Sequence, residues 1–136
     1  MAIRILIVDD DGAIRRLLRR LVESRPGWTV CAEARDGHDA IAKVSQLKPD
    51  VAVIDLAMPD MNGFQAGKEI SRENPDLPML LLTVQQVSKE LNNQARNAGF
   101  RGALSKNTGS EVMRAIEVLL NHQTFFEPVR SDAMVW

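Results

Sequence analysis

The sequence predicts an α/β protein, a three-layer doubly wound (βα)5 fold built on a parallel five-stranded sheet. Three observations predict it. Short apolar runs alternate with helical periods along the whole chain. Two of the runs, Val51–Ile54 and Met79–Leu82, are apolar at every position, as strands covered on both faces are. Turn residues punctuate the junctions: Pro26-Gly27, Asp36-Gly37, Pro49-Asp50, Asn62-Gly63, Pro75, Pro78, Gly99 and Gly102. Successive strand–helix units of this kind are satisfied by a parallel sheet with right-handed crossovers and helices on both faces.

Each element has its own signal. Ile3–Val8 is a β-branched apolar run that ends in Asp9, Asp10 and Asp11. Ile14, Leu17, Leu18, Leu21 and Val22 then form a helical stripe, with Arg15, Arg16, Arg19 and Arg20 off it. Thr29–Ala34 alternates weakly, as an edge strand does, and Ala40, Ile41, Val44 and Leu47 form the next stripe. Val51–Ile54 is followed by a thinner stripe of Phe64, Gly67 and Ile70. Met79–Leu82 is followed by Val87, Leu91, Ala95 and Ala98 among Asn and Gln. Ala103–Leu104 is a short fifth strand before the stripe Val112, Ala115, Ile116, Leu119 and Leu120, where Thr108 and Glu111 have capping-box spacing. The periodicity stops after Asn121, leaving 122–136 as a tail too short for a second domain.

Composition narrows the functional classes. The chain has 136 residues, enough for one domain with an ordinary core. Seventeen Lys and Arg against eighteen Asp and Glu give a formal charge of −1, which excludes a general basic footprint for nucleic acid and gives no reason for a membrane surface. No apolar run approaches the length of a bilayer span, and the start, MAIRILIVDDD, lacks the pattern of a signal peptide. The single cysteine, Cys31, cannot form an internal disulfide, which fits a reducing, cytoplasmic setting.

In open parallel sheets, sites form beyond the carboxyl ends of the strands, where strand order switches. The first strand delivers Asp9 and Asp10 there, the third Asp55, the fourth Thr83 and the fifth Lys106. Clustered carboxylates repel and need relief at neutral pH. Oxygen-only ligands select a hard cation such as Mg²⁺. A carboxylate beside Mg²⁺ is suited to nucleophilic attack on phosphorus, with Thr83 and Lys106 placed to meet phosphoryl oxygens.

The stretches Ile5-Leu6-Ile7-Val8-Asp9-Asp10, Val53-Ile54-Asp55-Leu56-Ala57-Met58-Pro59-Asp60-Met61-Asn62-Gly63, Leu81-Leu82-Thr83 and Gly102-Ala103-Leu104-Ser105-Lys106 resemble the receiver domain of two-component response regulators. The resemblance covers residues 3–121. It implies a flavodoxin-like strand order 2-1-3-4-5, a receiver over residues 1–121 and a C-terminal tail over 122–136. It implies Asp55 as phosphoryl acceptor, served by a histidine kinase or a histidine phosphotransfer protein. It further implies Mg²⁺ held by Asp10, Asp55 and the backbone carbonyl of Ala57, with Asp9 acting through water, and Thr83 and Lys106 contacting the phosphoryl group. Phosphorylation then draws Thr83 inward and changes the surface of the fourth helix, fifth strand and fifth helix. That face is also the expected one for a homodimer.

Three positions depart from the family pattern. Ala103 stands where Tyr or Phe is usual, so the usual aromatic rotamer change has no ring to act on, and activation is expected to rely on Thr83 and repacking near the fourth helix. Val84 replaces a small residue; narrowed access to the site and ordinary strand-end packing are both open readings. Asn107 replaces a proline often preceded by a cis bond, and intrinsic energy favours trans for the Lys106–Asn107 peptide.

Weaker signals read blandly. Gly63–Lys68 lacks the spacing and the Ser or Thr of a phosphate-binding loop. His38 and His122 have no partner at metal spacing, and Cys31 reads as strand packing. The arginines of the first helix read as a solvated face before they read as a docking surface. Asp11 reads as the start of the helix, where negative charge is favourable. Phe125, Phe126, Met134, Val135 and Trp136 argue that the tail folds back or meets a second copy.

The expected function is a phosphorylation-controlled binding module whose output is protein contact or phosphate relay, because no helix-turn-helix pattern follows Asn121. The runner-up is the receiver portion of a longer transcription regulator, since Leu104–Ser110 resembles receivers of NarL/LuxR type; an unphosphorylated adaptor is a further alternative. A haloacid-dehalogenase-type phosphatase needs a carboxylate where Ala57 stands. A flavin module needs a hydroxyl-rich loop where Asp10-Asp11 stands.

Overall fold

The structure, a computed structural model, describes residues 2–106 and 109–129. Strands β1 (Ile3–Val8), β2 (Trp28–Ala34), β3 (Val51–Asp55), β4 (Met79–Thr83) and β5 (Gly102–Ser105) alternate with helices α1 (Gly12–Glu23), α2 (Gly37–Leu47), α3 (Gly63–Glu73), α4 (Lys89–Asn97) and α5 (Gly109–Leu120). A further two-residue strand, β6 (Phe125–Phe126), follows α5. The sheet order is β2-β1-β3-β4-β5-β6, and every pair is parallel.

The five-stranded expectation is therefore one strand short. A two-residue strand is below the length at which alternation can be recognised, so β6 carries no periodic signal. What was legible was its composition, two phenylalanines that would otherwise stand in water.

The pleat divides the core. Ile5 and Ile7 point to one face, into the layer that also holds Leu18 and Val22 of α1 and Val112, Ile116 and Leu119 of α5. Leu6 and Val8 point to the other, into the layer that also holds Ala40 and Val44 of α2, Ile70 of α3 and Leu91 and Ala95 of α4. Burial of each large aliphatic side chain contributes about 1.5–3 kcal/mol.

The helix starts are fixed locally. Asp11 caps α1 by accepting hydrogen bonds from the Ala13 and Ile14 amides, as a helix-start aspartate should. Asp36 and Ser88 cap α2 and α4, and Asn62 with Gln65 forms a reciprocal capping box on α3. The Thr108 cap and the Lys106–Asn107 peptide lie outside the described residues, as do Met134, Val135 and Trp136.

Two of the four α1 arginines depart from the solvated-face reading. Arg15 and Arg19 both grip Glu33 of β2, at 2.9 and 2.7 Å, while Arg16 and Arg20 are exposed. The hydrogen bond from Arg19 holds the Glu33 carboxyl below the usual glutamate range against its desolvation, with Arg15 adding to the effect. Glu33→Gln is expected to cost about 1 kcal/mol at neutral pH, because both arginines stay partly in water. A lowered folded-state pKa stabilises above the ordinary glutamate value of about 4.3 and ceases to do so as pH falls through the lowered value. Urea unfolding of both proteins should therefore show a gap at pH 7 that closes on acidification.

Candidate functional site

The sheet order β2-β1-β3 places the reversal of strand order between β1 and β3, and the carboxyl ends of those strands lead into Asp9 and carry Asp55. Asp9, Asp10 and Asp55 each offer a carboxylate oxygen within 4.8 Å of the others. Asp9 and Asp55 are buried, at 1% and 4% exposure, and Asp10 is open to solvent. This is an enclosed pair with one accessible partner, which a surface accident of three acids would not give.

Lys106 ties the buried pair together. Its Nζ lies 2.8 Å from Asp9 Oδ2 and 3.0 Å from Asp55 Oδ1. Burial works against the ammonium, but hydrogen bonds to Asp9 and Asp55 outweigh it and hold Lys106 above its ordinary pKa. Burial raises the Asp55 carboxyl, and Asp9 and Asp10 push it the same way; the Lys106 hydrogen bond and charge oppose them. The cluster is thus short of positive charge even with its lysine in place. A hard cation with oxygen preference matches what it lacks, and three convergent carboxylate oxygens fit Mg²⁺.

The rest of the rim is set by register. Asp55 pairs with Leu82, and Thr83 pairs with Ser105, so Thr83 stands at the same end of the sheet, one strand from each neighbour. Thr83 is buried, and its Oγ1 accepts a hydrogen bond from the Gln85 amide at 3.1 Å, which orients the hydroxyl. Ala57 lies two residues past Asp55, exposed, in the loop before α3. Val84 is 69% exposed, which removes strand-end packing as its role.

Backbone supports hold Asp9 in place. Its amide donates to the Ala34 carbonyl at 3.0 Å, its Oδ1 accepts from the Asp11 amide at 2.9 Å, and its carbonyl accepts from Arg15 Nη1 at 2.7 Å. The part Arg15 plays was missed in the sequence, where it is one of four arginines. The signal that marks it is Glu33, a lone acid in an otherwise mostly apolar strand.

A doubly wound sheet with an acidic, lysine-bridged cluster at its switch point defines the class: an α/β protein with a cation-ready site flanked by a buried hydroxyl. Residues 5–117 match the model of the response regulator receiver domain, and the chain belongs to that family. It is 36% identical over 110 residues to the transcriptional regulatory protein YdfI of Bacillus subtilis, covering 81% of this chain and 51% of that protein. It is 33% identical over 110 residues to a protein-glutamate methylesterase/protein-glutamine glutaminase of Treponema denticola, covering 80% of this chain and 30% of that protein. The chain thus spans about half of one of these relatives and under a third of the other. A crystal structure of a LuxR-family two-component response regulator from Aurantimonas sp. SI85-9A1 superimposes with a TM-score of 0.89 at 32% identity, covering 94% of this chain and 91% of that one. Phosphorylation on aspartate is the general function of the family, so the molecule is a receiver domain of the two-component kind.

Proposed function

We propose that Asp55 is the phosphoryl acceptor, fed by the phosphohistidine of a histidine kinase or histidine phosphotransfer protein, and that the modified protein signals through its α4–β5–α5 face. The observation that carries this is the double contact of Lys106 with Asp9 and Asp55 at the end of the sheet. An Asp55 carboxylate oxygen forms the new O–P bond as the P–N bond of phosphohistidine breaks. The imidazole nitrogen leaves with the bonding pair and takes its proton from solvent. Lys106 is placed to follow the negative charge as it moves from carboxylate to phosphoryl oxygen, and the Thr83 hydroxyl to donate to another such oxygen.

Asp10, Asp55 and the Ala57 carbonyl are the residues suited to hold Mg²⁺, with Asp9 supporting it through water. The ion, when bound, neutralises charge on the phosphoryl oxygens. Asp10 is the accessible acid of the cluster and so the one an incoming ion meets first.

The chain's own chemistry in this reading is confined to its own phosphorylation and dephosphorylation. Among the described residues no helix is long and apolar enough to cross a membrane. A cytoplasmic location follows from the proposed kinase partner. A second reading, the receiver portion of a longer transcriptional regulator, is favoured by the partial coverage of YdfI.

Incubation with acetyl phosphate and Mg²⁺, followed by intact-mass measurement, should add one phosphoryl group. Asp55→Asn or removal of Mg²⁺ with a chelator should abolish the addition. Equal uptake by Asp55→Asn would overturn the assignment.

A further inference from the structure

The segment after α5 does not leave the domain. His122 adopts a left-handed conformation (φ 63°), and the chain then returns along β5. The Phe125 amide donates to the Arg101 carbonyl and the Glu127 amide to the Ala103 carbonyl, each at 2.9 Å. Phe126 is the register partner of Ala103 and packs with it into the core layer under α4. Ala103 leaves room beside it, and the Phe126 ring, capped by the Arg96 guanidinium 4.0 Å from its centroid, takes that room.

The same segment reaches toward the phosphorylation site. Glu127 Oε1 accepts a hydrogen bond from the Ser105 amide at 3.0 Å, and the Glu127 carbonyl accepts from Asn92 of α4 at 3.4 Å. Ser105 is the register partner of Thr83 and the residue before Lys106. One short path therefore links Asp55, Lys106, Ser105 and Glu127. The attachment is also shallow. Its strand is two residues long, the Asn92 bond is long, and the buried Asn92 Oδ1 has no hydrogen-bond partner among the described residues. A two-residue strand at a sheet edge belongs to the elements that open locally before the core does.

We propose that the 125–127 strand is a reversible cover on the β5 edge and the α4 face, seated when Asp55 is unmodified and released when Lys106 is drawn onto a phosphoryl group. In this proposal the end of β5 shifts with Lys106, and the Ser105 amide, one of the groups that hold Glu127, is withdrawn. By linkage, loosening the cover must favour the phosphorylated conformation in equal measure. This inference rests on Asp55 being the acceptor.

The test is hydrogen exchange by NMR on the full chain, with beryllofluoride and Mg²⁺ as the phosphoryl mimic. Mimic binding is followed at the Asp55 and Thr83 amides. On binding, the Phe125 and Glu127 amides should exchange at least tenfold faster, and Asp55→Asn should show no such change. Phe126→Ala should bind the mimic at least threefold more tightly than the unmodified chain. Binding with Phe125 and Glu127 still protected, or equal affinity in Phe126→Ala, overturns the cover while leaving the acceptor in place. Binding seen only in Phe126→Ala supports the cover. Absence of binding in both proteins overturns the acceptor and the cover together.

Discussion

Lys106→Met is expected to destabilise the protein by about 3 kcal/mol in the absence of divalent ions, the low end of the cost of breaking a buried ion pair. The substitution keeps the aliphatic stem and removes the ammonium that lies 2.8 Å from Asp9 and 3.0 Å from Asp55. Both carboxylates are buried, so neither regains full hydration. The cost stays at the low end because Asp55, already raised by burial and by its acidic neighbours, can take up a proton. Saturating Mg²⁺ should restore much of the loss, since a ligand that binds only the folded state stabilises by mass action. Phosphoryl uptake should still fall on the order of 10²-fold, the scale for removing one preorganised donor to developing negative charge. Thermal unfolding with and without Mg²⁺, beside uptake rates, separates the two effects. Unchanged stability together with unchanged uptake would contradict the place given to Lys106.

Gly63→Ala is expected to have the second-largest effect, on stability and chemistry together. A Cβ at this position would stand 2.6 Å from the Asp55 carbonyl oxygen and 2.9 Å from the Leu56 Cα. Both neighbours are backbone, so no side-chain rotation relieves the clash. The Gly63 amide also donates to the Leu56 carbonyl at 2.8 Å, which fixes the first turn of α3 against the end of β3. Overpacking of this kind costs about 1–3 kcal/mol. Relief requires the β3–α3 junction to move, and Asp55 moves with it. Urea unfolding should show the loss, and phosphoryl uptake should fall more than the unfolded fraction explains. Lys68→Ala, at an exposed position of the same helix, serves as a comparison outside the clash.

These two residues show what the sequence displayed and what it withheld. The fold was legible because strands β3 and β4 are apolar throughout and because helical stripes separate them. The strand-end residues Asp9, Asp10, Asp55, Thr83 and Lys106 were legible because a parallel sheet carries the ends of its strands to one rim. Distances were not legible, since the contact of Lys106 with Asp9 joins positions 97 apart in sequence and depends on how β1 and β5 sit in the sheet. Glu33 was hidden in an alternating strand whose partners lie on a helix, so its arginines read as surface charge. β6 was hidden because two residues show no period. The exposure of Val84 removed strand-end packing from the readings that strand composition alone left open.

The position of the phosphoryl group is the most direct test of the central claim. After reaction with acetyl phosphate and Mg²⁺, borohydride converts an acyl phosphate to the corresponding alcohol, and peptide mass mapping locates the change. Reduction at Asp55 alone is the predicted result. A reduced residue at Asp9 or Asp10, or phosphate retained on Thr83 after reduction, would contradict it.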